Sequence, residues 1–194
     1  MRLLVGLGNP GPNRARTRHN VGFRVLDALA SRHRIEIHTP AFAGHFGRGL
    51  IAGCEVGLLK PETFMNRSGS AVAAALAAMP SVELTRDLIL VYDDLDLPFG
   101  RLRLRGQGGA GGHRGAADVI DALGSDGFAR LRFGIGRPPE SSSTIDYVLE
   151  EFSADEENKL VARIDAAVQA LETSIAGGIE AAMSDFNAEP SPGD

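Results

Sequence analysis

Short apolar runs alternating with segments of helical period constrain this chain more than any other feature. Residues 2–7 form an apolar run ending in glycine and loop, the mark of a buried strand. From Asn20 the apolar positions Val21, Val25, Leu26, Leu29 and Ala30 recur at helical spacing, which predicts a helix to about residue 34. Strands are expected at 35–38, 45–52 and 55–59, the last two joined as a hairpin at Gly53-Cys54. Alanine-rich 68–79 reads as a helix with Ser68 as a fair N-cap, and 87–92 as an apolar strand. Residues 101–105 alternate Arg with Leu, as a strand with one wet, basic face would. A helix over 113–123, a strand over 131–135, a polar connector at 141–144 and helices over 155–176 and 178–186 complete the pattern. Strands interleaved with helices imply an α/β fold: a single domain with a twisted, largely parallel or mixed sheet flanked by helices.

With 194 residues, the chain suits one compact domain, here residues 1–187, followed by a tail at 188–194 that reads as disordered. The N-terminus meets Gly and Pro after a very short apolar run, so a strand and loop are expected there and no signal peptide. No apolar stretch approaches membrane-spanning length, and Cys54 is the sole cysteine, which excludes an intrachain disulfide and a Cys-rich metal site. A reducing, cytoplasmic setting fits. The net charge of −5 is unevenly spread. Residues 1–139 hold 18 Lys/Arg against 12 Asp/Glu, whereas 140–194 hold 2 against 13. That asymmetry is compatible with a basic face for RNA beside an acidic flank; a plainly solvated acidic helix is the simpler reading.

Gly6-Leu7-Gly8-Asn9-Pro10-Gly11 matches a dinucleotide-binding fingerprint, with Glu36 near the position of a ribose-binding acid. That reading requires a helix to start inside the motif and hold a pyrophosphate. Pro10 and Pro12 flank the last glycine, and no apolar stripe appears until Val21, so the helix starts too late for NAD. Asn9 and His19 instead bracket a loop at the C-terminal end of the first strand, where open α/β sheets bind ligands. Histidine is the usual general base near neutral pH, and asparagine offers both a donor and an acceptor. Phe64 and Met65 either plug the core or wall a pocket with Asn66 as its polar contact. Asp93, Asp94 and Asp96 follow a strand and could bind a metal or orient a histidine; without Cys or clustered His, metal is the weaker choice. Glycine-rich 108–112 precedes His113 and a helix, with Arg101, Arg103 and Arg105 nearby, so an anionic ligand such as a phosphate backbone is plausible.

VGLGNPG, TRHNVG, KPETFMNRSG, DDLDLPFG, GGAGGH and LRFGIGRP, in that order over about 3–138, together resemble the bacterial-type peptidyl-tRNA hydrolase family. The resemblance implies a monomeric, metal- and cofactor-independent esterase that cuts the ester between a peptide and the terminal tRNA ribose, with no obligate protein partner. It implies that His19 is the base that activates water, that Asp93 orients His19 and keeps it basic, and that Asn9 contacts the peptide backbone. Asn66 and His113 would contact substrate, Phe64 and Met65 would line the cleft, and Arg103 and Arg105 would approach tRNA phosphates. Two positions depart from the family: Arg14 stands where an aromatic residue is usual, and Arg114 where Asn is usual. Arginine has no acceptor, so neither role carries over, and Arg114 is expected to meet a phosphate or the CCA end beside a helix N-terminus. A catalytically silent RNA-binding relative of the same fold is the competing expectation.

Overall fold

A computed structural model describes residues 1–188. Seven strands form one mixed sheet in the order β2-β3-β4-β1-β5-β7-β6. They are β1 (Arg2–Gly6), β2 (Thr39–Ala41), β3 (Gly44–Ile51), β4 (Cys54–Pro61), β5 (Leu88–Asp94), β6 (Leu102–Arg105) and β7 (Ala129–Gly134). β4, β1, β5 and β7 run parallel, β3 and β6 run against them, and the edge strand β2 pairs antiparallel with β3. The helices are α1 (Val21–His33), α2 (Ser68–Ala78), α3 (Leu84–Asp87), α4 (Arg114–Leu123), α5 (Thr144–Leu149), α6 (Ala154–Gly177) and α7 (Ile179–Phe186).

The pleat of β1 sends Leu4 into one core with Val25, Leu29, Leu171 and Ile175 of α1 and α6. Leu3, Val5 and Leu7 enter a second core with Val72, Ala75 and Val119 of α2 and α4. The expected three-layer α/β arrangement is therefore present, with β1 between the two cores. Two glycines of the misleading fingerprint serve packing. A Cβ on Gly6 would lie 2.5 Å from the carbonyl oxygen of Gly22, and one on Gly8 would lie 2.7 Å from the Phe23 ring. They let the start of α1 close onto the sheet, far from where a pyrophosphate-binding helix would have to begin.

Several expectations need correction. Residues 35–38 form no strand: Ile35 is buried and the chain crosses over β3, where Gly47 and Gly49 leave room for Glu36 and Ile35. The strand comes later, at Thr39–Ala41. The hairpin turn is Ala52-Gly53, both at positive φ, and Cys54 already belongs to β4. This is the geometry that two-residue hairpins favour. Ser68 lies inside α2, where its hydroxyl donates to the Met65 carbonyl. Asp118 of α4 accepts from the Gly69 N–H and so takes the capping role. The connector at 141–144 ends in α5, a helix too short to show a period. The tail at 188–194 lies, but for Ala188, outside the described residues.

The acidic C-terminal region is largely paired. Ser153 and Glu156 form a capping box at the start of α6. Glu157 binds Arg24 of α1 at 2.6 Å, Glu172 binds His33 at 2.7 Å and Arg32 at 3.2 Å, and Asp165 also binds Arg32. Three acids of α6 thus pair with basic side chains of α1. No described helix is long and apolar enough to cross a membrane.

Candidate active site

The site is built at the C-terminal ends of β1 and β5. Alternation along β5 directs Val91 and Asp93 to the α1 side, and Tyr92 and Asp94 to the other. His19 comes from the 3-10 turn Arg18–Asn20 that leads into α1. Its Nδ1 lies 2.8 Å from Oδ1 of Asp93. His113, the N-cap of α4, places its Nε2 3.0 Å from the same oxygen. Its Nδ1 accepts from the backbone N–H of Ala116, so Nε2 must carry the proton that goes to Asp93. An ionised Asp93 then also accepts from Nδ1–H of His19, which leaves Nε2 of His19 as its free ring nitrogen. Asp93 is only 2% exposed. Burial alone would push its carboxyl up, but the two imidazoles, through their charge when protonated and through their hydrogen bonds, outweigh that and hold it below the usual carboxylate range.

Asn9 is fixed from two directions. Its backbone N–H donates to Oδ1 of Asn20, and its carbonyl accepts from Nδ2 of the same residue, both at 2.9 Å. Its side-chain Oδ1 accepts from the Met65 N–H at 3.2 Å, which leaves the Nδ2 amide as an available donor. These groups line a cleft of about 770 Å³. Met65 is buried in the second core and also lines the cleft, whereas Phe64, 68% exposed, stands on the cleft wall alone. Asn66 lines the cleft without a protein hydrogen bond among the described residues. Ile145, Val148 and Leu149 of α5 line it as well.

Of the residues expected at a site, Asn9, Arg14, His19, Phe64, Met65, Asn66, Asp93, His113 and Arg114 all line this one cleft. Arg103 and Arg105 stand outside it on β6. The register sets them opposite Arg132 and Arg130, and Arg132 binds Asp94, which does line the cleft. The three acids near 93–96 have separate partners: Asp93 the histidines, Asp94 Arg132 and the Asp96 N–H, and Asp96 Arg137. Among the described residues, His19, Asp93 and His113 form the one group with metal-ligand chemistry. Both ring nitrogens address a single carboxylate oxygen at hydrogen-bond distance, which makes a hydrogen-bonded chain and not a set of ligands around a common centre. Sequence reasoning missed Arg18, Asn20, Tyr92 and the α5 wall. Their importance is spatial, and only the polar Arg-His-Asn triplet ahead of a helix hinted at the first two.

The model of the peptidyl-tRNA hydrolase family matches residues 3–193. The chain belongs to that family. It is 45% identical to the peptidyl-tRNA hydrolase of Chloroflexus aggregans, over 96% of this chain and 99% of the other. The corresponding protein of Geobacter sp. strain M21 is 48% identical over 96% of this chain and 98% of its own. The crystal structure of peptidyl-tRNA hydrolase from Acinetobacter baumannii superposes with a TM-score of 0.89 at 36% identity, covering 97% of this chain and 95% of that one.

Proposed function

We propose that this chain hydrolyses the ester joining a peptide to the terminal ribose of tRNA, with His19 as general base. The observation that carries the reading is the convergence of His19, Asp93 and Asn9, from three separate segments, on one cleft. With Nδ1–H committed to Asp93, Nε2 of His19 takes a proton from water as that water attacks the ester carbonyl. Asp93 stabilises the imidazolium that forms, the logic of a catalytic triad without its serine. The imidazolium then returns the proton to the departing ribose oxygen. An alkoxide leaves more readily than an amide nitrogen, so a positioned water and a base suffice. The amide of Asn9, its oxygen held by the Met65 N–H, donates to a peptide carbonyl. An aminoacyl group without a peptide bond cannot make that contact, which supports selection of blocked over free aminoacyl-tRNA.

The tRNA side follows from charge. Arg14 and Arg114 line the cleft, are exposed, and have no acidic partner among the described residues. Arg103 and Arg105 extend a basic strand face next to the Asp94–Arg132 pair. Together they suit the phosphates of the acceptor stem and CCA end. Phe64 and Ile145, 68% and 52% exposed, offer apolar surface to the peptide. In this reading the protein acts as a cytoplasmic monomer. The test is release of an N-blocked aminoacyl group from tRNA by wild type and by His19→Ala. A loss of about 10²–10⁴ in kcat is expected for removing a general base, and equal rates would overturn the assignment.

A further inference from the structure

The turn that carries His19 is three residues long, and its two outer members face inward. Asn20 grips the Asn9 backbone, as described above. Arg18 reaches the opposite way, into the α5–α6 region, and is 6% exposed. Its backbone N–H donates to the Glu150 carbonyl at 2.9 Å, and Thr17 forms a bridge with Glu151. Nη1 of its guanidinium donates to the Glu151 carbonyl at 2.9 Å, and Nη2 to Oε2 of Glu156 at 2.8 Å. The guanidinium carbon lies 4.1 Å above the Tyr147 ring and 5.5 Å from that of Phe152. Tyr147 in turn donates its hydroxyl to the Ile135 carbonyl at 2.7 Å.

Burying a guanidinium is costly, and here Nε has no hydrogen-bond partner among the described residues. A hydrophobic residue would fill this space against Tyr147 and Phe152 without that cost. What arginine adds is direction: a planar fork that meets a carbonyl and a carboxylate while its face stacks on an aromatic ring. Those contacts join the base-bearing turn to α5, whose Ile145, Val148 and Leu149 form the far wall of the cleft. We propose that Arg18 is a positioning residue, which fixes His19 relative to the α5 wall so that base and substrate seat form one rigid unit. The inference rests on the reading of His19 as the base.

A thermodynamic cycle tests it. Arg18→Lys keeps the charge but loses the fork and stacking, and Arg18→Met loses both. The kinetic constants for N-blocked aminoacyl-tRNA are measured for each, alone and combined with His19→Ala, beside thermal melts to establish that each variant is folded. If Arg18 acts through His19, Arg18→Met lowers kcat by about 100-fold and Arg18→Lys by about 10-fold, as expected for a displaced catalytic group, while KM stays within about 2-fold. In the His19→Ala background neither change lowers the residual rate further. Equal fold losses in both backgrounds, or a loss confined to KM, would overturn the proposal. Should Arg18→Met fail to fold, Glu156→Gln removes the charged partner of Nη2 while Arg18 remains. It is expected to lower kcat by about 3-fold with His19 present and not at all in its absence, and equal losses would again refute the coupling. A His19→Ala variant as active as wild type would instead defeat the base assignment itself, a distinct outcome.

Discussion

Asp93→Asn is the perturbation whose cost the geometry defines most closely. Both histidines address the same oxygen, Oδ1, so an asparagine can keep an acceptor there with little change in shape. What disappears is the negative charge. With Nδ1 of His19 2.8 Å from Oδ1, the imidazolium and carboxylate charge centres lie about 4 Å apart, worth about 4 kcal/mol at an effective dielectric of about 20. In the proposed mechanism that attraction arises only once His19 has taken a proton, so it lowers the barrier and not the energy of bound substrate. Since each ~1.4 kcal/mol is tenfold in rate, full loss predicts about 10³-fold in kcat, and partial compensation by the amide dipole about 10². KM should stay within about 2-fold, because uniform binding is untouched. The assay is steady-state release of N-blocked amino acid from tRNA, with a thermal melt to establish folding. A folded variant whose kcat lies within about tenfold of wild type would refute the view that Asp93 acts by charge.

Other consequences can be checked as directly. Gly22→Ala should lower stability by at least about 1–3 kcal/mol, because its Cβ would meet the Val91 and Leu7 carbonyl oxygens at 2.4 and 2.5 Å, and backbone cannot step aside; an unchanged urea midpoint would contradict this. Asn20→Ala should free the Asn9 loop and lower kcat/KM, with a stability loss of about 1–3 kcal/mol from two orphaned backbone groups; kinetics and melts on the same preparation report both. Arg114→Ala and Arg14→Ala should each weaken tRNA binding and reduce the salt slope of log K by about 1, and an unchanged slope would remove that arginine from the phosphate-binding set. The depressed Asp93 carboxyl fixes the sign of one pH effect. In native protein it stays ionised where the unfolded chain binds a proton, so its stabilisation is complete above about pH 4 and is lost as pH falls through the folded value. Between pH ~4 and ~3 the urea midpoint of wild type should therefore fall more steeply than that of Asp93→Asn.

Sequence made the parallel centre of the sheet legible because buried strands read as unbroken apolar runs, and β1 and β5 are such runs. It failed at 35–38, where an apparent strand is a crossing permitted by Gly47 and Gly49, two residues whose purpose appears only in three dimensions. The same division holds at the site. Asn9, His19 and Asp93 lie at strand ends, where α/β folds place ligands, and alternation along β5 decides that Asp93, and not Asp94, faces α1. Arg18, by contrast, depends on partners at Tyr147, Glu151 and Glu156, more than a hundred residues away, in a region whose short helix has no detectable period. His113 was visible as a histidine beside a glycine loop, but its capping bond to Ala116, which fixes the proton on Nε2, was not.

The place of β1 carries a consequence for how the protein is made. Arg2 pairs with Val56 and Leu3 with Leu88, so β1 leaves the ribosome before either of the strands that flank it. Until β5 is synthesised and docks, Leu3, Val5 and Leu7 have no complete core to enter, and the pairing must close a long loop before contacts reward it. Asp93 arrives on that same β5 strand, and His113 follows on the helix after it. The nascent chain therefore passes through an extended period in which β1 is unpaired and the candidate site lacks Asp93, and the insertion of β5 beside β1 ends both conditions at once.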